Sequence, residues 1–293
     1  MKYQLETSPV WDVYREGVEC PPEGGKCPLC VLHARAERHY VEFFLGNSVM
    51  VPEMRAQVNK TGFCPHHTSL LLEGDNRLGL ALMTHTHLLE LTEKLRKLHG
   101  GLKKRAERIL SSTGPLFSRK RAGSLVKELE SAAAFAEKQQ GECLICSRLE
   151  STAKRHAYTI LYLWERDEAY QRELRGSKGF CLPHLGFVGR MAAEVFSARK
   201  LSRWLLEIIP LEEKNLEELA GGVHGFTQRF DYQRGEESGK SHKNALPRAL
   251  QMMTGKVMYR EKIERGQNRR RGAGRDLKSG SGPNITNNPE PKR

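Results

Sequence analysis

Cysteine and histidine recur in this chain as one spaced pattern, written twice. Cys27-x2-Cys30 and Cys64-x2-His67 stand 33 residues apart, and Cys143-x2-Cys146 and Cys181-x2-His184 stand 34 apart. Each set offers three thiolates and one imidazole, the ligand number and softness that a closed tetrahedral Zn2+ site takes. Two residues between paired ligands let both reach one ion without straining the backbone. Two matched sets therefore predict two zinc ions per chain. The expected ligands are Cys27, Cys30, Cys64, His67, Cys143, Cys146, Cys181 and His184.

The flanking residues mark an internal duplication. Gly62-Phe63-Cys64 returns as Gly179-Phe180-Cys181, and Arg38-His39 returns as Arg155-His156. The copies are offset by 116 residues at the CxxC pairs and by 117 from Arg38 onward, so one insertion separates them. The repeat also resolves Cys64-Pro65-His66-His67, because only His67 aligns with His184. His67 is taken as the ligand and His66 as a surface or neighbouring residue.

Composition bounds the setting. The chain has 293 residues, enough for two modest domains and a tail. No apolar run approaches the roughly 18–20 residues of a membrane span, and the N-terminus mixes Lys2, Glu6 and Asp12 where a signal peptide needs an apolar core. The expectation is a cytoplasmic protein without a membrane segment. Thiols stay reduced there, so the cysteines read as metal ligands rather than disulfides, with Cys20 left as a free loop thiol. The formal net charge is +13, of which residues 260–293 contribute +6. That segment holds Arg269-Arg270-Arg271 and is expected to stay largely disordered and to offer non-specific contact to nucleic acid or another polyanion.

Helical signals dominate and strand alternation is absent, so the expected fold class is all-α. Prolines 28, 52 and 65 suit first helical turns, predicting helices over 29–45, over 52–59 and from 65 onward. A longer helix is expected over 77–98, interrupted by Gly100-Gly101, and another over 124–139. A helical stripe from Leu185 is expected to continue through Trp204 and Ile208 until Pro210 ends it. Ser111-Ser112-Thr113-Gly114-Pro115 is the best boundary between modules at 1–113 and 114–229. A strap over 230–255 and the basic tail over 256–293 follow.

A closed site demands that the chain bring its cysteine pair and its Cys/His pair together. A helix from Ser147 to Trp164 climbs about 27 Å at 1.5 Å per residue. If each site closes within its own repeat, the chain must turn at Glu165-Arg166-Asp167 and travel back that distance, with Asp167 capping a returning helix. The expectation is two helical hairpins, each pinned at its open end by metal. Both CxxC and CxxH fall at helix starts, where unpaired N–H groups and the helix dipole favour thiolate.

Other candidates are weaker. His39 and His156 occupy equivalent places and read as contacts between helices; His85 and His87 lie on different helix faces and make a poor metal pair. No nucleophile elbow, phosphate loop or HExxH motif is present. The motifs Cys27-Pro28-Leu29-Cys30, Gly62-Phe63-Cys64 with His67, Asn76-Arg77-Leu78-Gly79-Leu80-Ala81-Leu82, and the second Cys/His set resemble a bacterial domain-of-unknown-function family with duplicated CxxC…GFCxxH motifs. The resemblance spans about residues 1–250 and includes Phe230-Asp231-Tyr232 and Ala245-Leu246-Pro247-Arg248. It implies that 230–250 packs on the fold, but it implies no activity. The expected function is an interaction or scaffold protein with an unknown protein partner and two structural zinc sites. The alternatives are a redox or iron–sulfur protein using the same cysteines, and tail-mediated nucleic-acid binding.

Overall fold

The computed structural model describes residues 3–15, 27–111, 115–228 and 245–255. Every regular element among them is helical. In order they are α1 (Thr7–Arg15), α2 (Pro28–Leu45), a 3-10 turn (Asn47–Met50), α3 (Pro52–Thr61), α4 (Pro65–Glu73) and α5 (Arg77–Leu110). The second repeat supplies α6 (Pro115–Gly141), α7 (Leu144–Arg166), α8 (Glu168–Gly176), α9 (Leu182–Val195) and α10 (Ala198–Gln228), followed by α11 (Ala245–Thr254). Cys20, Phe230, Tyr232 and the basic segment 256–293 lie outside the described residues.

Local chemistry explains most boundaries. Proline at N1 opens α2, α3 and α4. Asn76 caps α5 by accepting from Gly79 N at 2.8 Å, and its amide donates to Leu45 O at 2.6 Å, tying α5 to the end of α2. Asp167 accepts from Ala169 N and Tyr170 N at 2.9 and 3.2 Å, which turns the chain from α7 into α8 at the expected place.

Two expected breaks are absent. Gly100-Gly101 lies inside α5, because α6 runs alongside and ties to it through Arg105 and Glu128. Pro210 lies inside α10. A proline there forfeits a backbone hydrogen bond and costs about 3 kcal/mol. Trp204, Ile208, Glu212 and Asn215, spaced on one face, are all buried and hold the helix through it. Conversely, the stripe from Leu185 to Ile208 is two helices, with α9 ending at Phe196 in extended geometry. Residues 245–254 of the expected strap form the helix α11.

The centre of the fold is the pairing of α2 with its repeat counterpart α7. Arg148 lies over the Phe44 ring at 5.5 Å, Tyr40 Oη meets Thr152 Oγ1 at 2.8 Å, and Leu29, His33 and Ala36 enclose a small cavity with Leu149, Thr152 and His156. Numbers rise along one helix as they fall along the other, so the pair is antiparallel. Each helix start therefore sits beside the other's end.

Two apolar cores follow. One packs Leu29 and Leu32 at the start of α2 with Ile160, Leu161 and Trp164 late in α7, and with Tyr170, Phe180, Val188 and Trp204. The other packs Phe44 and Leu45 at the end of α2 with Val58, Leu71 and Met83, and with Ile145 and Leu149 at the start of α7. Both cores mix the two repeats. Leaving α2, the chain turns through α3 and arrives next to the start of α7, not of α2. The return journey of about 27 Å that a self-contained hairpin needs is never made.

Candidate metal centres

The string Gly-Phe-Cys delivers each Cys/His pair. Gly62 and Gly179 adopt φ of 68° and 64°, a conformation open to glycine but strained for other residues. Space is also tight. A Cβ at Gly62 would meet His87 Nε2 at 3.0 Å, and one at Gly179 would collide with the Glu212 carboxylate. The phenylalanine then anchors the turn. Phe63 packs edge-on against Phe44 at 5.4 Å, and Phe180 is fully buried with its N–H donating to Glu212 Oε1 at 2.6 Å. The cysteine follows as N-cap of α4 or α9, and the histidine sits in the first helical turn.

The eight sequence-predicted residues come together in two groups of four: Cys27, Cys30, Cys181 and His184, and Cys64, His67, Cys143 and Cys146. Each CxxC is thus joined by the CxxH of the other repeat. This corrects the expectation that each hairpin closes on its own cysteines, and the antiparallel α2–α7 pair is the reason. Within each group the ligand atoms lie within 4.8 Å of one another.

In the first group, Cys30 Sγ is 3.6 Å from Cys181 Sγ, and His184 Nδ1 is 3.4, 3.3 and 3.2 Å from the sulfurs of Cys27, Cys30 and Cys181. In the second, Cys64 and Cys146 sulfurs are 3.8 Å apart, and His67 Nδ1 is 3.2, 3.4 and 3.3 Å from Cys64, Cys143 and Cys146. Ligands at tetrahedral angles and ordinary Zn–S and Zn–N lengths lie about 3.8 Å apart for two sulfurs and about 3.5 Å for sulfur and nitrogen. Both groups are compatible with binding a metal ion.

The electrostatics favour thiolate, the form in which cysteine binds a metal ion. Two helix starts converge on each group, α2 and α9 on the first and α7 and α4 on the second. Burial disfavours imidazolium at His67, yet contacts with Cys143, Glu37 and Cys64 prevail and raise its pKa to about 10. Burial likewise opposes the charge of His184, but Cys181 and Cys27 push it up to about 10. Burial acts to raise the Cys143 thiol, but the His67 hydrogen bond brings it down to about 6. Cys146 is pushed up to about 12 by burial and by the neighbouring Cys143. Each group thus holds thiolate beside imidazolium, and a cation displaces the remaining protons.

The surroundings differ. The first group is the more buried: Cys27, Cys30 and Cys181 are buried and His184 is half-buried, and the Cys30 thiol donates to Gly255 O at 3.2 Å just beyond α11. Gly255 itself has φ of 68°, and a Cβ there would stand 3.3 Å from Cys181 Sγ. The second group is open on one side, with Cys146 exposed. There Glu37 Oε1 lies 3.2 Å from His67 Nε2 and 2.9 Å from His66 Nε2. Contact with His67, against the opposing effect of burial and with help from His66, holds the Glu37 carboxyl down to about 2.

The remaining histidines are elsewhere. His156 is buried with its Nε2 2.7 Å from Glu6 Oε2, whereas its counterpart His39 is exposed beside Tyr40. His87 sits under Gly62 with Nδ1 donating to Asn59 O at 3.1 Å. Glu37, Glu212 and Gly255 escaped sequence reasoning. Glu37 aligns with Lys154 across the repeat, so the duplication gave no hint of it.

Among the described residues no helix is long and apolar enough to cross a membrane. No curated protein and no solved structure matches the chain. Residues 1–260 match a family described as a family of unknown function, DUF6062. With nearly the whole chain covered, the protein belongs to the DUF6062 family.

Proposed function

We propose that this is a zinc-stapled helical interaction or scaffold protein. One ion is held by Cys27, Cys30, Cys181 and His184, and the other by Cys64, His67, Cys143 and Cys146. The observation that carries the reading is the ligand spacing: sulfurs 3.6 and 3.8 Å apart, each group closed by one imidazole Nδ1. Four protein ligands with no position left open suit a structural rather than a catalytic ion. The same spacing favours a single ion over an iron–sulfur cluster, whose inorganic sulfides hold protein ligands further apart.

An interaction role is supported by the α5–α6 pair. Leu88 and Leu89 on α5 and Val126 and Leu129 on α6 are large, apolar and exposed. Contact with polyanions through residues 260–293 rests on charge alone and would fade steeply with salt. Metal analysis of protein purified anaerobically tests the central reading. The expected result is a colourless protein with close to two zinc ions per chain. A brown preparation with visible absorption, or a metal-free chain that is fully folded, would overturn it.

A further inference from the structure

The two candidate metal centres share ligand types but not surroundings, and two positions of the repeat differ in the ligand atoms they offer. Beside the second centre stand Glu37 and His66. Their counterparts in the repeat are Lys154 and Pro183. In place of the Glu37 carboxylate the other copy has an ammonium, bonded to Glu150 Oε1 at 2.7 Å, and in place of the His66 imidazole a proline, which offers no ligand atom.

Glu37, His66 and His67 form a third group whose ligand atoms lie within 4.8 Å of one another. His67 belongs to both groups. Its Nδ1 faces the three cysteines, and its Nε2 faces Glu37 Oε1 at 3.2 Å. That Nε2 is buried and has no hydrogen bond of good geometry. The His66 side chain, by contrast, is 63% exposed, so the group opens to solvent.

We propose that Glu37, His66 and His67 form an outer divalent-cation site that captures zinc and passes it inward to Cys64, Cys143, Cys146 and His67. The inference rests on the Cys3His reading of the inner centre. His67 Nε2, His66 and Glu37 together offer an outer site of two imidazoles and a carboxylate, hard and borderline ligands that suit a partly hydrated ion, and an ion held there takes the place of any proton on Nε2. Once the ion moves in, Nδ1 becomes its ligand and Nε2 carries a hydrogen directed at Glu37. The outer site then drops to two ligands and releases its hold. Capture and final binding share one ring, so the first gives way to the second. Among the described residues, the first centre has no such group of ligands beside it.

The test is cobalt loading of the full metal-free chain, read by thiolate-to-cobalt charge transfer, with extraction by a chelator as the reverse measurement. The wild type is expected to load in two phases, the second centre first. His66→Ala should slow that fast phase, and extraction from the same centre, about tenfold or more each. Its affinity and the slow phase should not change, because a residue on the path alters both rates by the same factor. Glu37→Gln should slow loading as well, and Lys154→Glu with Pro183→His should speed the slow phase. A His66→Ala protein that loads as fast as wild type, or one that only loses affinity, overturns the hand-over and leaves the Cys3His reading intact. Absence of any thiolate-to-cobalt band in the wild type overturns that reading, and the hand-over with it.

Discussion

Gly179 and Glu212 show how much a single position carries at the first centre. Any Cβ at Gly179 meets the Glu212 carboxylate and is held at positive φ, so Gly179→Ala should destabilise the protein by about 2–4 kcal/mol in denaturant unfolding. Gly62→Ala should cost less, about 1–2 kcal/mol, because the His87 ring opposite can swing away. Glu212 is only 3% exposed, and burial raises its carboxyl to about 7. The hydrogen bond from Phe180 N opposes the rise, and Cys181 adds to it. A carboxyl raised in this way contributes stability that is present in full below about pH 4.5 and is lost as pH climbs through 7. Glu212→Gln lacks that loss. Relative to wild type it should gain stability between pH 5 and pH 8, by at most about 3 kcal/mol, in paired unfolding curves. At this scale the sequence was most legible for the ligands, since CxxC and CxxH are local spacings set by a helical turn. It was silent on Glu37 and Glu212, whose roles arise only when distant helices meet.

Helices were legible wherever the start signal was chemical. Pro28, Pro52 and Pro65 open helices, and Asp167 caps one at the turn expected of it. Breakers were less reliable. Gly100-Gly101 and Pro210 weaken a helix by a few kcal/mol at most, less than lateral packing returns. Gly100 is a clear case: nothing lies within 4 Å of where its Cβ would be, so the residue brings only a backbone-entropy penalty to α5. Gly100→Ala should therefore stabilise the α5–α6 pair by about 0.5–1 kcal/mol, seen as slower amide exchange in α5. A faster exchange there would mean that the glycine serves a bend the packing requires.

The exchange of partners between repeats is a property of the whole molecule. Cys30 to Cys64 and Cys146 to Cys181 have nearly the same spacing, so spacing alone fits closure within a repeat and across repeats equally well. What decides it is the antiparallel packing of α2 on α7, set by the apolar faces carrying Leu29, Phe44, Leu149 and Ile160. Each ion then joins elements of both repeats beside one core. Chelation should accordingly abolish the cooperative melt of the folded chain rather than of one half, because each structural zinc supplies on the order of 10 kcal/mol of folding free energy. The most direct measurement is zinc content in two double variants. With ligands shared across repeats, Cys30→Ala with Cys181→Ala damages one centre and the chain keeps one zinc, while Cys30→Ala with Cys64→Ala damages both and it keeps none. One zinc retained by Cys30→Ala with Cys64→Ala, and none by Cys30→Ala with Cys181→Ala, would contradict the account.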